Sequence, residues 1–344
     1  MSNSKSLLKS GAAVAALFMS IAAGAMPAAA QRAPVVDPPT PAAIAGHLAR
    51  AIEIAGKNPL LQKMASEGYW CMTPSKASAL VGKYTSKPLT DAVPPAQLFD
   101  NVYLFGTSFV SMMVLKTSDG LIVWDALNND EEVRTIFEPG MKQFGLNMAD
   151  IKIVIITHGH FDHFGGAKYL QDKYNIPIAL SAADWDLMAA APARPGGPMP
   201  PVRNPARDKT LADGQEIKVG DATVRIVLTP GHSPGTVSSI LSVKDGGTTR
   251  TMAAWGGTAF PATTAMLTQM RDSTSKLKEA ARAAGAVGIL NTHAFFYDLV
   301  ERKAKQGSSP NNPLVIGAEA LAGTMDIKRE CLTGQLAWYA AMRK

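Results

Sequence analysis

Five of the six histidines in this 344-residue chain stand where a short apolar run ends, and three of them fall within six residues. The segment Thr157-His158-Gly159-His160-Phe161-Asp162-His163 directly follows the apolar run 151–156. His158 and His160 are two positions apart, so in extended backbone they point the same way and can share one cation. Asp162 and His163 can turn toward a second cation, and Gly159 leaves room for the close approach. Crowded, partly desolvated imidazoles gain nothing without a cation between them. Imidazoles with a carboxylate and no thiolate favour zinc, with iron, manganese or cobalt as lesser options.

Two further histidines suit the open positions of such a centre. His232 lies in the turn Leu228-Thr229-Pro230-Gly231-His232-Ser233-Pro234-Gly235, and His293 follows the short apolar run ending Leu290-Asn291-Thr292. Strand ends are where a rigid sheet presents ligands. His47 differs, standing in an Ala-rich helical stretch beside Ile44 and Leu48, and is read as structural.

The elements needed to hold these residues are legible around them. Apolar runs at 102–105, 109–115 and 121–124 predict successive strands. A helix near 131–144, a strand at 151–156, a helix near 166–173 and a strand at 176–180 follow, and this alternation argues for α/β. A second strand-rich block spans 216–219, 223–228, 237–243 and 249–254. A helix at 264–284, a short strand at 287–290 and a helical terminus at 318–342 complete the order, which suggests two similar halves closing on each other with helices outside. The Pro- and Gly-rich loop 191–207, with Met199, Pro200 and Arg203, is a candidate wall of a substrate cleft.

Composition narrows the function class. An apolar fraction of 47% with 18% charged residues excludes a disordered chain, and two cysteines exclude a disulfide-rich scaffold or a Cys-built zinc module. Residues 1–30 read as a cleaved secretory signal: Lys5 and Lys9, a short apolar run at 11–25, then Ala28-Ala29-Ala30. Removing those two lysines lowers the formal charge from +6 to +4, too mild and too scattered for a nucleic-acid partner. The expected location is the periplasm, with full secretion as the alternative and no stable membrane anchor once the signal is gone. Residues 31–100 are expected to be an extension packed on a catalytic domain at 101–344. Cys71 and Cys331, the only thiols of an exported chain, are expected to form one disulfide.

The ordered combination of His-x-His-x-Asp-His, a later Pro-Gly-His turn and a last strand-end His resembles the metallo-β-lactamase superfamily over about residues 100–300, and most closely its third subclass. The resemblance implies an αβ/βα four-layer sandwich, with His158, His160 and His232 on one zinc and Asp162, His163 and His293 on a second. Many superfamily members, including glyoxalase-II-like hydrolases and acyl-homoserine lactonases, carry a bridging Asp between the last two histidines. Here the matching stretch reads Ala253-Ala254-Trp255-Gly256-Gly257-Thr258, with no acid. Subclass members usually place Ser residues near that strand end, so Thr258 is the candidate for contact with substrate. Their usual internal disulfide is absent from the neighbourhood of His293.

The expected activity is zinc-dependent hydrolysis of the amide bond of a β-lactam ring, by attack of a zinc-bridging hydroxide oriented by Asp162. The alternative is a lactonase, on an acyl-homoserine lactone or another ester, and a lesser one is a non-catalytic periplasmic zinc-binding protein. Arg203 is placed to meet a substrate carboxylate, and the turn Phe295-Phe296-Tyr297 to line the cleft with Phe296. A serine mechanism finds only Ser273-Thr274-Ser275-Lys276, without a Ser-Asp-Asn or Lys-Thr-Gly partner.

Overall fold

The computed structural model describes residues 42–66, 91–190, 202–261 and 263–342. The expected signal at 1–30, Cys71 and most of the loop 191–207, with Met199 and Pro200, lie outside the described residues.

Two sheets face each other. The first has seven strands in sequence order: β1 (Ala96–Phe99), β2 (Val102–Gly106), β3 (Ser111–Thr117), β4 (Gly120–Trp124), β5 (Ile151–Ile155), β6 (Ile178–Ser181) and β7 (Lys209–Leu211). β1 to β4 form an antiparallel meander, and β4 to β7 run parallel, which requires a crossover between each pair. The second sheet has the order β12-β11-β10-β9-β8 and comprises β8 (Glu216–Val219), β9 (Ala222–Leu228), β10 (Val237–Asp245), β11 (Thr248–Ala254) and β12 (Ile289–Leu290). Only β11 and β12 are parallel in it.

The period-two rule explains why the sheets stack. In β4, Ile122 and Trp124 join an apolar core shared with Val224, Ile226 and Leu241 of the second sheet. Leu121 and Val123, on the opposite face, pack with Phe137, Met141, Leu170 and Trp185 of an outer helical layer. Each such buried side chain contributes about 1.5 to 3 kcal/mol relative to exposure. The second sheet is covered by helices in turn, so the layers run helix, sheet, sheet, helix, as the sequence implies.

The helices are α1 (Ala42–Ala55), α2 (Pro59–Ser66), α3 (Asp130–Glu132), α4 (Glu138–Gln143), α5 (Phe161–Phe164), α6 (Ala167–Tyr174), α7 (Ala182–Ala190), α8 (Thr264–Ala283), α9 (Leu299–Ala304) and α10 (Ala318–Met342). α8 starts where the Thr263 hydroxyl accepts from the Met266 amide, and it stops where Gly285 turns at φ 67°. α10 packs on both α8 and α1, and His47 of α1 bonds Glu330 of α10 at 2.8 Å, the structural role expected of it.

Several elements differ from expectation. The sheet already begins at Ala96, inside the segment read as an extension. The helix expected at 131–144 is interrupted by a π turn, Val133–Phe137, followed by Pro139, which has no N–H to donate. β7, α7 and α9 were not anticipated. Among the described residues no helix is long and apolar enough to cross a membrane.

Candidate metal centre

The six expected ligands converge at one end of the sandwich. His158 and His160 leave β5, while Asp162 and His163 sit on the single turn of α5. His232 follows β9 of the opposite sheet, and His293 follows β12. Two triads result, His158/His160/His232 and Asp162/His163/His293, and within each the ligand atoms lie within 4.8 Å of one another. Each triad therefore takes two ligands from the first sheet and one from the second.

The imidazoles are aimed by their outer nitrogens. Nδ1 of His158 donates to the Gly256 carbonyl at 2.9 Å, that of His232 to the Ala259 carbonyl at 2.7 Å, and that of His293 to the Phe109 carbonyl at 2.7 Å. A proton fixed on Nδ1 leaves the Nε2 lone pair facing inward, the form a cation requires. The inward atoms crowd accordingly. Nε2 of His158 and of His232 are 3.0 Å apart, as are those of His163 and His293, and Asp162 Oδ2 lies 3.4 Å from each of the latter pair. His160 stands on the solvent side, its ring 4.7 Å from those of His158 and His232. Two sets of three converging nitrogen or carboxylate oxygen atoms, with the outer nitrogens of His158, His232 and His293 held by carbonyls, fit two metal ions.

His163 is backed by a carboxylate instead. Its Nδ1 lies 2.7 Å from Asp125 Oδ2, and Asp125 is held by the amide and hydroxyl of Thr157 at 2.7 and 3.0 Å. Asp125 follows β4 in the left-handed region, at φ 64°. Sequence reasoning missed this residue, because its partner lies 38 positions away and no local pattern marks it. An acid directly after a buried strand, in an otherwise apolar turn, is the one available signal.

Charge is divided unequally between the triads. Burial, then the neighbouring imidazoles, holds His158 well below the usual imidazole range, and burial and His160 do the same to His232. His293 is pulled down to about 4 by burial and by His163. Burial works against both Asp162 and His163 in their charged forms, yet their attraction prevails. The Asp162 carboxyl is held well below its ordinary range by His163 and His293, and His163 is pushed up to about 10 by Asp125 and Asp162. The first triad thus offers neutral donors at His158 and His232, whereas the second brings a carboxylate and an Asp-backed imidazole.

The expected substrate residues fare differently. Thr258 is 1% exposed and its hydroxyl oxygen is buried without a hydrogen-bond partner among the described residues, two positions from the strand end that supports His158. Phe296 is buried, stacked on Phe295 at 4.5 Å between ring centroids and set edge-on to His293 at 6.1 Å. Arg203 is half exposed, and its guanidinium donates to Asp130 at 2.7 Å and to Asp172 at 3.1 Å on the surface. Ser273 is no nucleophile, since its hydroxyl donates to the Pro230 carbonyl at 2.7 Å and Lys276 pairs with Asp213. Gly257 explains the missing serine near the strand end, because a Cβ there would lie 2.6 Å from the Cβ of His232.

Comparison with known proteins agrees with this geometry. The chain is 31% identical over 114 residues to the probable metallo-hydrolase YqgX of Bacillus subtilis, covering 30% of this chain and 53% of that one. It is 36% identical over 85 residues to a hydroxyacylglutathione hydrolase of Acidiphilium cryptum, covering 25% and 28%. The chain spans about half the length, or less, of such curated relatives. Among solved structures it superposes on BJP-1, a subclass B3 metallo-beta-lactamase of Bradyrhizobium japonicum, with TM-score 0.64 and 26% identity, over 76% of this chain and 100% of that one. The sequence model of the metallo-beta-lactamase superfamily matches residues 105–244. Five of the six expected ligands lie inside that matched segment and the sixth completes the second triad in space, as the resemblance to this superfamily implies.

Proposed function

We propose that this metallo-hydrolase is a zinc-dependent β-lactamase, opening the amide bond of the β-lactam ring of a small-molecule substrate. The observation that carries the reading is the pair of complete triads with no acid at the strand end Ala254 to Thr258, in a fold superposing on the whole of a subclass B3 enzyme. Two zinc ions in these triads would supply a hydroxide nucleophile at neutral pH and Lewis-acid stabilisation of the charge that develops on ring opening.

The chain's own residues do the rest. The Nδ1 bonds of His158, His232 and His293 keep three imidazoles from swinging, so the donors need no reorganisation when substrate arrives. Asp162 stays anionic and faces the second triad, where its carboxylate is placed to ligate and to orient the attacking water. The rings of Phe109 and Phe295, packed at 4.8 and 5.7 Å from His293, form an apolar backing that shields this side from bulk water. Export to the periplasm, with secretion as alternative, and a Cys71–Cys331 disulfide belong to the same proposal.

A second reading is hydrolysis of an ester, thioester or lactone, favoured by the curated relatives, which include hydroxyacylglutathione hydrolases. The deciding experiment is hydrolysis of a chromogenic cephalosporin by the purified protein with zinc, with and without chelator, with metal counted on the same sample. An acyl-homoserine lactone and a thioester are run in parallel. Chelator-sensitive cephalosporin turnover with about two zinc ions per chain, lost by orders of magnitude in Asp162→Asn, is the expected result. Two bound zinc ions with turnover of only the lactone or thioester would transfer the assignment to the second reading.

A further inference from the structure

Asp184 lies in the first turn of α7, immediately after β6, and is fully buried. Its Oδ2 accepts from the Gly159 amide at 2.9 Å and from the Ser233 hydroxyl at 2.5 Å, and its Oδ1 accepts from the Gly235 amide at 2.7 Å. Gly159 separates His158 from His160, and Ser233 follows His232. One carboxylate therefore holds both loops that carry the first triad, and these loops come from different sheets.

The packing around it is tight. A Cβ at Gly159 would lie 2.9 Å from the Asp184 carbonyl, and one at Gly235 would lie 2.0 Å from the Ser181 hydroxyl. Both loops are pressed onto the start of α7, with no room for a side chain at either glycine. One backbone bond, from the Val237 amide to the Thr157 carbonyl at 2.7 Å, also crosses between the segments. It sits before His158, whereas Asp184 holds the chain just after His158, and Asp184 also grips the turn nearer to His232, at Ser233 and Gly235. Three donors on one buried carboxylate are the arrangement expected where geometry is being fixed, since an unpaired buried anion is costly. The second triad has no bond to Asp184.

We propose that Asp184 is a positioning residue of the first metal subsite, setting the affinity of His158, His160 and His232 for their ion independently of the second subsite. The proposal rests on the reading that these histidines hold a metal. Asn keeps the shape but turns one acceptor into a donor, which must then face a backbone N–H of Gly235 or the donors at Gly159 and Ser233. Loss of an outer partner of this kind lowers metal affinity by about 10- to 100-fold.

The test is a chelator-competition titration of zinc on the wild-type chain, Asp184→Asn and Ser233→Ala, with cobalt(II) spectra of each. The expected result is that Asp184→Asn loses one ion at about 10- to 100-fold lower chelator than wild type. The ion it retains should show the cobalt spectrum of His232→Ala, which keeps the second subsite, and not that of His293→Ala. Ser233→Ala, lacking one of the three bonds, should shift the same way by less and guards against an Asp184 variant that fails to fold. Equal weakening of both subsites, or no weakening in either variant, would overturn the proposal. A wild-type chain that takes up no zinc would instead overturn the metal reading itself, and the proposal with it.

Discussion

Replacing Asp125 by Asn isolates what a carboxylate does behind a ligand. Asp125 accepts three hydrogen bonds, from His163 Nδ1, the Thr157 amide and the Thr157 hydroxyl. Asn also tolerates the left-handed backbone found at this position, so the substitution adds little conformational strain. Its amide can be placed in two ways, and each carries a defined cost. With the NH2 toward His163, Nδ1 must accept, and the imidazole proton moves to Nε2, where it blocks the metal. With the NH2 toward the Thr157 amide, two buried donors face each other, at a cost of about 1 to 3 kcal/mol. The first arrangement weakens the second subsite, and the second lowers folding stability. Since an outer-partner loss typically costs 10- to 100-fold in affinity, about 1.4 to 2.8 kcal/mol, the two costs are comparable and the variant should show a share of both. Zinc competition reads the affinity, and urea unfolding of the metal-stripped protein reads the stability. An Asp125→Asn protein matching wild type within twofold in affinity and within about 0.5 kcal/mol in stability would refute this account of how His163 is oriented.

Other outcomes follow from the same geometry. Gly257→Ala should displace His232 through a Cβ built 2.6 Å from its own, lowering zinc content at one subsite, and an unchanged metal titration would count against it. In metal-stripped protein, His158, His232 and His293 bind protons less readily folded than unfolded, so stability should fall as pH drops from about 6.5 toward 4. His163 has the opposite sign, its folded value of about 10 exceeding the unfolded one, so its contribution is present below about 6.5 and is lost as pH rises toward 10. Urea midpoints of chelated protein should therefore peak near neutrality, and a monotonic profile between pH 5 and 9 would contradict the assignment. If Cys71 pairs with Cys331, which is buried in α10, thiol titration of denatured, unreduced protein should find no thiols, and reduction should lower the melting temperature. Two titratable thiols would exclude the bridge, which the chain-entropy model values at about 4 to 5 kcal/mol.

The parts of this molecule that were readable in sequence are those whose cause is local. Apolar runs such as 121–124 and 151–156, bounded by turn residues, became β4 and β5 almost residue for residue, because both strands bury most of their side chains and so leave a largely apolar signature. The ligands were readable because six chemically distinctive residues cluster at the ends of such runs. Asp125 and Asp184 were not, since each is an ordinary acid until the fold brings it partners tens of positions away. β7 escaped notice for the opposite reason: it has three residues, two of them exposed, and exists as a strand because β6 offers it an edge. The ion pairs of Arg203 with Asp130 and Asp172 were not readable either, since no sequence spacing connects the three.

Each triad spans the two sheets, which are also held together by side-chain packing between their inner faces and by a few hydrogen bonds such as that from the Val237 amide to the Thr157 carbonyl. An ion bound in either triad is therefore a cross-link across the seam, and folding and metal uptake share one free energy. Above its dissociation constant, every tenfold rise in free metal should deepen the native state by about 1.4 kcal/mol per linked ion. The lifetime of the chain against proteases would then follow the zinc supply of its surroundings, and a starved cell would lose the protein itself as well as its turnover.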